Sequence, residues 1–101
     1  MNESAITAQI MRWLKAQPDV FAWKTIGSVF TQRGIPDICG SVSTVALYLE
    51  VKTDKGRVSR SQQVIHNRIA ASGSLVFVVR SLDAAKQAIE RLRDIAATAT
   101  R

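Results

Sequence analysis

The chain has 101 residues and a formal charge of +6, from 14 lysines and arginines against 8 aspartates and glutamates. With 47% hydrophobic and 22% charged residues it has ordinary globular composition, which excludes a long disordered chain. No apolar run approaches the ~20 residues that span a bilayer, and no basic segment leading into an apolar one marks a signal peptide.

This length predicts one domain over residues 1–101, with a single modest core. The lone Cys39 cannot form an internal disulfide, which suits a reducing cytoplasm. One histidine and one cysteine are too few for a zinc cluster. The charge is uneven. Residues 1–50 hold equal numbers of acids and bases, so the excess lies in residues 51–101. A basic half of this kind favours a polyanion, nucleic acid before membrane, because no basic amphipathic helix with aromatic anchors is evident.

Ile6, Ile10, Trp13 and Leu14 fall on one helical face, with Asn2 as cap and Pro18-Asp19 as terminator. Val20–Thr25 is β-branched and aromatic and reads as a strand. Ile26–Pro36 reads as a loop, Asp37–Gly40 as a short strand, and Ser41–Ser43 as a turn. In the strand Val45–Lys52, Leu47, Leu49 and Val51 share one face, and Tyr48, Glu50 and Lys52 the other. Asp54-Lys55-Gly56 is a turn. A helix over Arg60–Ala71 is announced by Ser59 and Gln62 at capping-box spacing and stopped by Gly73. The apolar run Leu75–Val79 predicts a buried strand. Ser81 then caps a third helix, with Leu82, Ala85, Ile89, Leu92 and Ala96 on its inner face. The order α-β-β-β-α-β-α predicts a meander extended by a strand-helix-strand step, a mixed sheet covered by helices.

Four features could carry chemistry. Glu50 and Lys52 lie two apart on one strand face, so their heads can converge on one ligand; the plain alternative is the solvent face of an edge strand. Asp37 opens a strand thirteen residues before Glu50, and a hairpin of that length can set the two carboxylates side by side. Such a pair repels unless a cation sits between them, and oxygen ligands suit Mg²⁺. Gln62 falls in an apolar stripe with Val58, Ile65 and Ile69. Two roles are open to it: folding back on Ser59, or reaching a site beneath the helix start. Glu3 sits in the first turn of the first helix, where the macrodipole alone would favour it. His66 is expected on a helix flank at the surface or boundary, and Cys39 as a small buried hydrophobe. Trp13 and Trp23 are expected to pack on core and sheet, although an exposed one could stack on a base.

Taken together these residues resemble a known family. Glu3, Gly34-Ile35-Pro36-Asp37, Glu50-Val51-Lys52, Gly56-Arg57-Val58-Ser59 with Gln62, and then Gly73 with the strand Leu75–Arg80, look like the VRR-NUC domain. That is the virus-type replication-repair nuclease, a branch of the PD-(D/E)XK superfamily. The resemblance covers nearly the whole chain. It implies an α/β restriction-endonuclease-like core and Mg²⁺- or Mn²⁺-dependent cleavage of DNA phosphodiesters. By position, Asp37 and Glu50 would be metal ligands, with the Val51 carbonyl as a backbone ligand. Lys52 would position or activate water and stabilise the phosphorane charge. Gln62 would orient water or phosphate, and Glu3 would assist. The chain looks like the stand-alone phage or prophage type, at work in a bacterial or phage-infected cytoplasm.

So small a nuclease has little surface for reading bases, so DNA shape would supply the selectivity. By analogy with small junction resolvases, a homodimer acting on branched DNA, four-way (Holliday) junctions or flaps, is expected. Lys55, Arg57 and Arg60 follow the catalytic strand and are expected to grip phosphates. No membrane and no small-molecule cofactor are expected. The competing readings are a non-catalytic basic nucleic-acid-binding module on the same fold, and a small interaction protein binding an acidic partner.

Overall fold

The computed structural model describes residues 1–27 and 32–99. Seven elements follow in chain order: α1 (Glu3–Lys15), β1 (Val20–Lys24), β2 (Ile38–Val42), β3 (Val45–Val51), α2 (Arg60–Ala71), β4 (Phe77–Val79) and α3 (Leu82–Ala99). The four strands form one sheet in the order β1-β2-β3-β4. The first three form an antiparallel meander, and β4 joins β3 in parallel through the α2 crossover. This is the α/β arrangement expected: a mixed sheet flanked by helices. Part of the expected loop Ile26–Pro36 lies outside the described residues. No helix among those described is long and apolar enough to cross a membrane.

Local chemistry sets the element ends. The Asn2 side chain accepts from Ala5 N at 2.8 Å and starts α1. Ser59 and Gln62 form a complete capping box at the start of α2. Ser81 Oγ accepts from Ala84 N at 3.1 Å at the start of α3. Alternation along β3 then divides the sheet into two faces. Leu47, Leu49 and Val51 join Ile38 and Val42 in a core closed by Ile6, Ile10 and Leu14 of α1 and by Ala85, Ile89 and Leu92 of α3. Glu50 lies on the opposite face, under α2.

A charged pair holds the core helices in place. Arg93 of α3 donates from Nε to Asp19 Oδ2 at 2.8 Å and from Nη2 to Asp19 Oδ1 at 2.9 Å. The guanidinium also holds the Asp19 carboxyl below its ordinary value. This bidentate grip ties α3 to the α1–β1 connection.

Three sequence expectations need correction. β2 runs on through Ser41, which pairs with Phe21 and Ala46, so the turn is Ser43-Thr44. The strand expected over Leu75–Val79 is shorter and is not buried throughout. β4 is a sheet edge paired on one side only, and Leu75 and Val78 remain exposed. Trp23 is not packed under the sheet; it is 49% exposed, because β1 is the other edge.

Candidate active site

The β2–β3 hairpin assembles the centre. Ile38 pairs with Leu49, so the next step toward the open end sets Asp37 opposite Glu50. The register thus turns a separation of thirteen residues into adjacency. Asp37 is also fixed by its backbone and its side chain. Its carbonyl accepts from Thr25 N at 2.8 Å, and Oδ2 accepts from Val51 N at 2.8 Å. Asp37 therefore rests on the strand between Glu50 and Lys52. Lys52 follows β3, its N–H donating to Val79 O at 3.0 Å.

Glu50 and Lys52 are not the solvent face of an edge strand: Glu50 is 0% exposed and Lys52 7%. α2 covers them. Gln62 Nε2 donates to Glu50 Oε2 at 3.3 Å, while Gln62 Oε1 accepts from Ser59 N at 2.8 Å. The two roles open to Gln62 are thus filled at once, one by each end of its amide. One turn later, His66 Nε2 lies 3.0 Å from Glu50 Oε1. His66 corrects the expectation of a surface residue, since it is buried with only 8% exposure. The signal for it was its i+4 spacing from Gln62, which aims both side chains at one spot.

The glycine before Asp37 explains how α2 comes so close. A Cβ at Gly34 would stand 2.2 Å from the Ser61 carbonyl oxygen, and Gly34 has φ +87°. Only a residue without a side chain lets this loop touch the first turn of α2 in that conformation. The motif glycine is therefore part of what seats Gln62 and His66 over Glu50.

The electrostatics follow from this crowding. Burial first, then a hydrogen bond to Asp37 and repulsion by its charge, push the Glu50 carboxyl up to about 9. Lys52 pulls against that rise, and Glu3 adds a weaker push. The two carboxyls thus crowd one place, where the charge pattern would accept a cation. Burial and the Lys52 ammonium lower the pKa of His66, which favours the neutral ring. The ring donates from Nε2 when Glu50 is ionised and accepts when Glu50 is protonated. Burial and the two carboxylates raise the Cys39 thiol, which stays a buried, inert neighbour.

Among the described residues, no group of three or more His, Cys, Asp and Glu side chains could hold a metal ion by itself. What the centre offers is two carboxylates, Asp37 and Glu50. That donor set fits Mg²⁺, which keeps several waters and takes one or two carboxylates together with substrate phosphate. Val51 sits between Glu50 and Lys52, with its side chain in the core and its N–H on Asp37. Glu3 is exposed at the start of α1 and acts on Glu50 through charge. Lys55, Arg57 and Arg60 are exposed on the segment from the turn into α2. Arg80, to which the sequence pattern assigns no role in the site, donates from Nη1 to the carbonyls of Thr53, Asp54 and Gly56. It shapes the turn that leaves Lys52.

No family model and no curated protein sequence matches this chain. Solved structures do. One described as a "VRR_NUC domain protein" superimposes with a TM-score of 0.76 at 17% identity, covering 91% of this chain and 88% of that one. Another, described as a "VRR_NUC domain", gives a TM-score of 0.71 at 23% identity, covering 87% and 94%. The chain has the VRR_NUC fold. Within that fold, β2, β3 and α2 are the elements that gather Asp37, Glu50, Lys52, Gln62 and His66 at one place.

Proposed function

We propose that this chain is a divalent-cation-dependent endodeoxyribonuclease that hydrolyses phosphodiester bonds, selective for branched DNA such as four-way junctions or flaps. The observation that carries this reading is the carboxyl pair of half-buried Asp37 and fully buried Glu50, with Lys52 beside it. Burying a carboxyl costs free energy even where partners such as Gln62 and His66 offset part of it, and perturbed carboxyls of this kind mark functional sites. The VRR_NUC fold supports a nuclease of this kind.

Asp37, Glu50 and the Val51 carbonyl would hold a Mg²⁺ or Mn²⁺ ion, which would supply Lewis-acid polarisation of a phosphoryl oxygen and a more acidic water. This chain's side chains do the rest. Gln62 and His66 each take one oxygen of Glu50 and hold its plane, so the carboxylate needs little reorganisation when the substrate arrives. Lys52 carries a fixed positive charge next to Glu50, where it stabilises charge growing on the phosphorane oxygens and positions the attacking water. Glu3 assists from the edge of the site. Lys55, Arg57 and Arg60 bind the flanking phosphates. A two-fold dimer would supply the paired cuts that a four-way junction needs.

The test is a cleavage panel of linear, flap, splayed and four-way DNA in Mg²⁺, Mn²⁺ and EDTA. The four-way or flap substrate should be cut in either cation and left intact in EDTA. Lys52→Ala should retain its circular dichroism spectrum and DNA affinity yet lose cleavage. A Lys52→Ala protein that cuts as fast as the parent removes lysine from the mechanism. DNA binding that responds to Mg²⁺ only through salt screening, with no cleavage, leaves a binding module.

A further inference from the structure

The phosphodiester chemistry leaves one part of the surface unused. Beyond the end of β1 lies a cleft of about 600 Å³ whose walls include Trp23, Lys24, Arg33, Gly34, Ile35 and Asp37. One wall, Asp37, belongs to the catalytic centre. Trp23 pairs with Cys39, two residues along β2 from Asp37, so alternation puts both side chains on the same sheet face. Diagonal neighbours of this kind stand ~7–8 Å apart, within reach of an aromatic ring.

The cleft is fixed relative to the carboxylates. Thr25 N donates to Asp37 O at 2.8 Å, and Thr25 Oγ1 donates to Pro36 O at 2.8 Å. The indole stands half in water on an edge strand, tilted against Phe21 with ring centroids 5.7 Å apart. A single exposed aromatic is unremarkable by itself. Here it shares a cleft with the cationic Arg33, beside a centre suited to phosphate. A stacking surface flanked by cations is the composition that binds single-stranded nucleic acid. The volume falls within the range of small-molecule sites and accommodates a nucleobase with its sugar.

We infer that this cleft takes the base of one unpaired DNA nucleotide adjoining the phosphate at Asp37 and Glu50. Trp23 stacks on the base, and Arg33 meets a neighbouring phosphate. The inference rests on the nuclease reading for the position of that phosphate. A base inside a duplex reaches the cleft only after unpairing and unstacking, whereas a junction, flap or bulge presents one already free. Preference for branched DNA then arises beside the cut itself.

The test uses the full chain in EDTA and DNA carrying one unpaired 2-aminopurine, moved stepwise around the branch point. At one position the parent should quench its fluorescence, and an abasic substitution there should weaken binding roughly 5- to 150-fold, the worth of one stacked base. Trp23→Ala should lose that factor on intact DNA and lose nothing further on the abasic strand. Trp23→Phe should keep most of it. Equal weakening of intact and abasic DNA by Trp23→Ala overturns the inference, as does equal binding of paired and unpaired probes. A change of sedimentation in Trp23→Ala would assign the indole to a contact between copies and overturn it too. Protein that reads the unpaired base through Trp23 but never cuts in Mg²⁺ refutes the nuclease reading alone. Protein that cuts but ignores the abasic change refutes the cleft alone.

Discussion

Glu50→Gln tests the buried carboxyl of the pair directly. Glu50 has no exposed surface, and its carboxyl is pushed from an ordinary 4.5 up to about 9 by burial and by Asp37. Between those values the folded chain keeps a proton that the unfolded chain has released. Stability is therefore highest below the unfolded pKa and falls as pH rises toward the folded one. The limiting slope is about 1.4 kcal/mol per pH unit, so from pH 7 to pH 8.5 the loss approaches about 2 kcal/mol. For a domain of this size that is a melting-temperature drop of roughly 8–16 °C. His66 does not contribute in this window. Its folded pKa lies below the ordinary 6.5, so its effect is to raise stability with pH only up to that value. Glutamine keeps the shape and the hydrogen-bonding reach of Glu50 without the titrating group. The assay is urea unfolding at pH 7, 7.5, 8 and 8.5 in EDTA. The parent should lose stability across the series, and Glu50→Gln should hold nearly level. Saturating Mn²⁺ should flatten the parent's profile by taking the proton's place, and should leave the variant unchanged. Parallel profiles for the two proteins in EDTA would refute the raised Glu50 carboxyl.

Asp37→Asn should abolish Mn²⁺ binding by calorimetry at little cost to folding, because an amide oxygen still accepts from Val51 N. Asp37→Ala should cost about 1–3 kcal/mol more in urea unfolding, since that N–H is left unpaired. Gly34→Ala should destabilise by more than about 2 kcal/mol, combining left-handed strain with a Cβ 2.2 Å from Ser61 O. Gly73→Ala, at φ +96° with nothing within 4 Å, should show only the strain, about 1 kcal/mol. Replacing Lys55, Arg57 and Arg60 together with glutamine should lower the magnitude of the log–log salt slope of DNA binding by about 3. An unchanged slope removes them from the phosphate contacts.

Much of the site is legible in the sequence because its parts obey local rules. Parity along β3 put Glu50 and Lys52 on one face whatever lay above them. Ser59 and Gln62 announced a capping box, and the structure contains it. Gln62 shows where local rules stop. Its backbone-directed oxygen follows from the spacing Ser-x-x-Gln, but the hand-off of its Nε2 to Glu50 depends on how low α2 sits over β3. Gly34 sets that height, through a contact with Ser61 across a loop whose length gives no hint of it.

Element order, helix caps and the shared strand face of Glu50 and Lys52 were determined by the chain alone. Each depends on residues within one turn or one hairpin, where period and capping chemistry act. Tertiary structure decided what is covered. An apolar run at β4 stayed partly exposed because it became a sheet edge, and Trp23 stayed half in water for the same reason at β1. His66, polar and alone in the sequence, went inside because a buried carboxylate oxygen needed a partner beneath that turn of α2. Burial is a property of neighbours brought together by the fold, and no local pattern carries it.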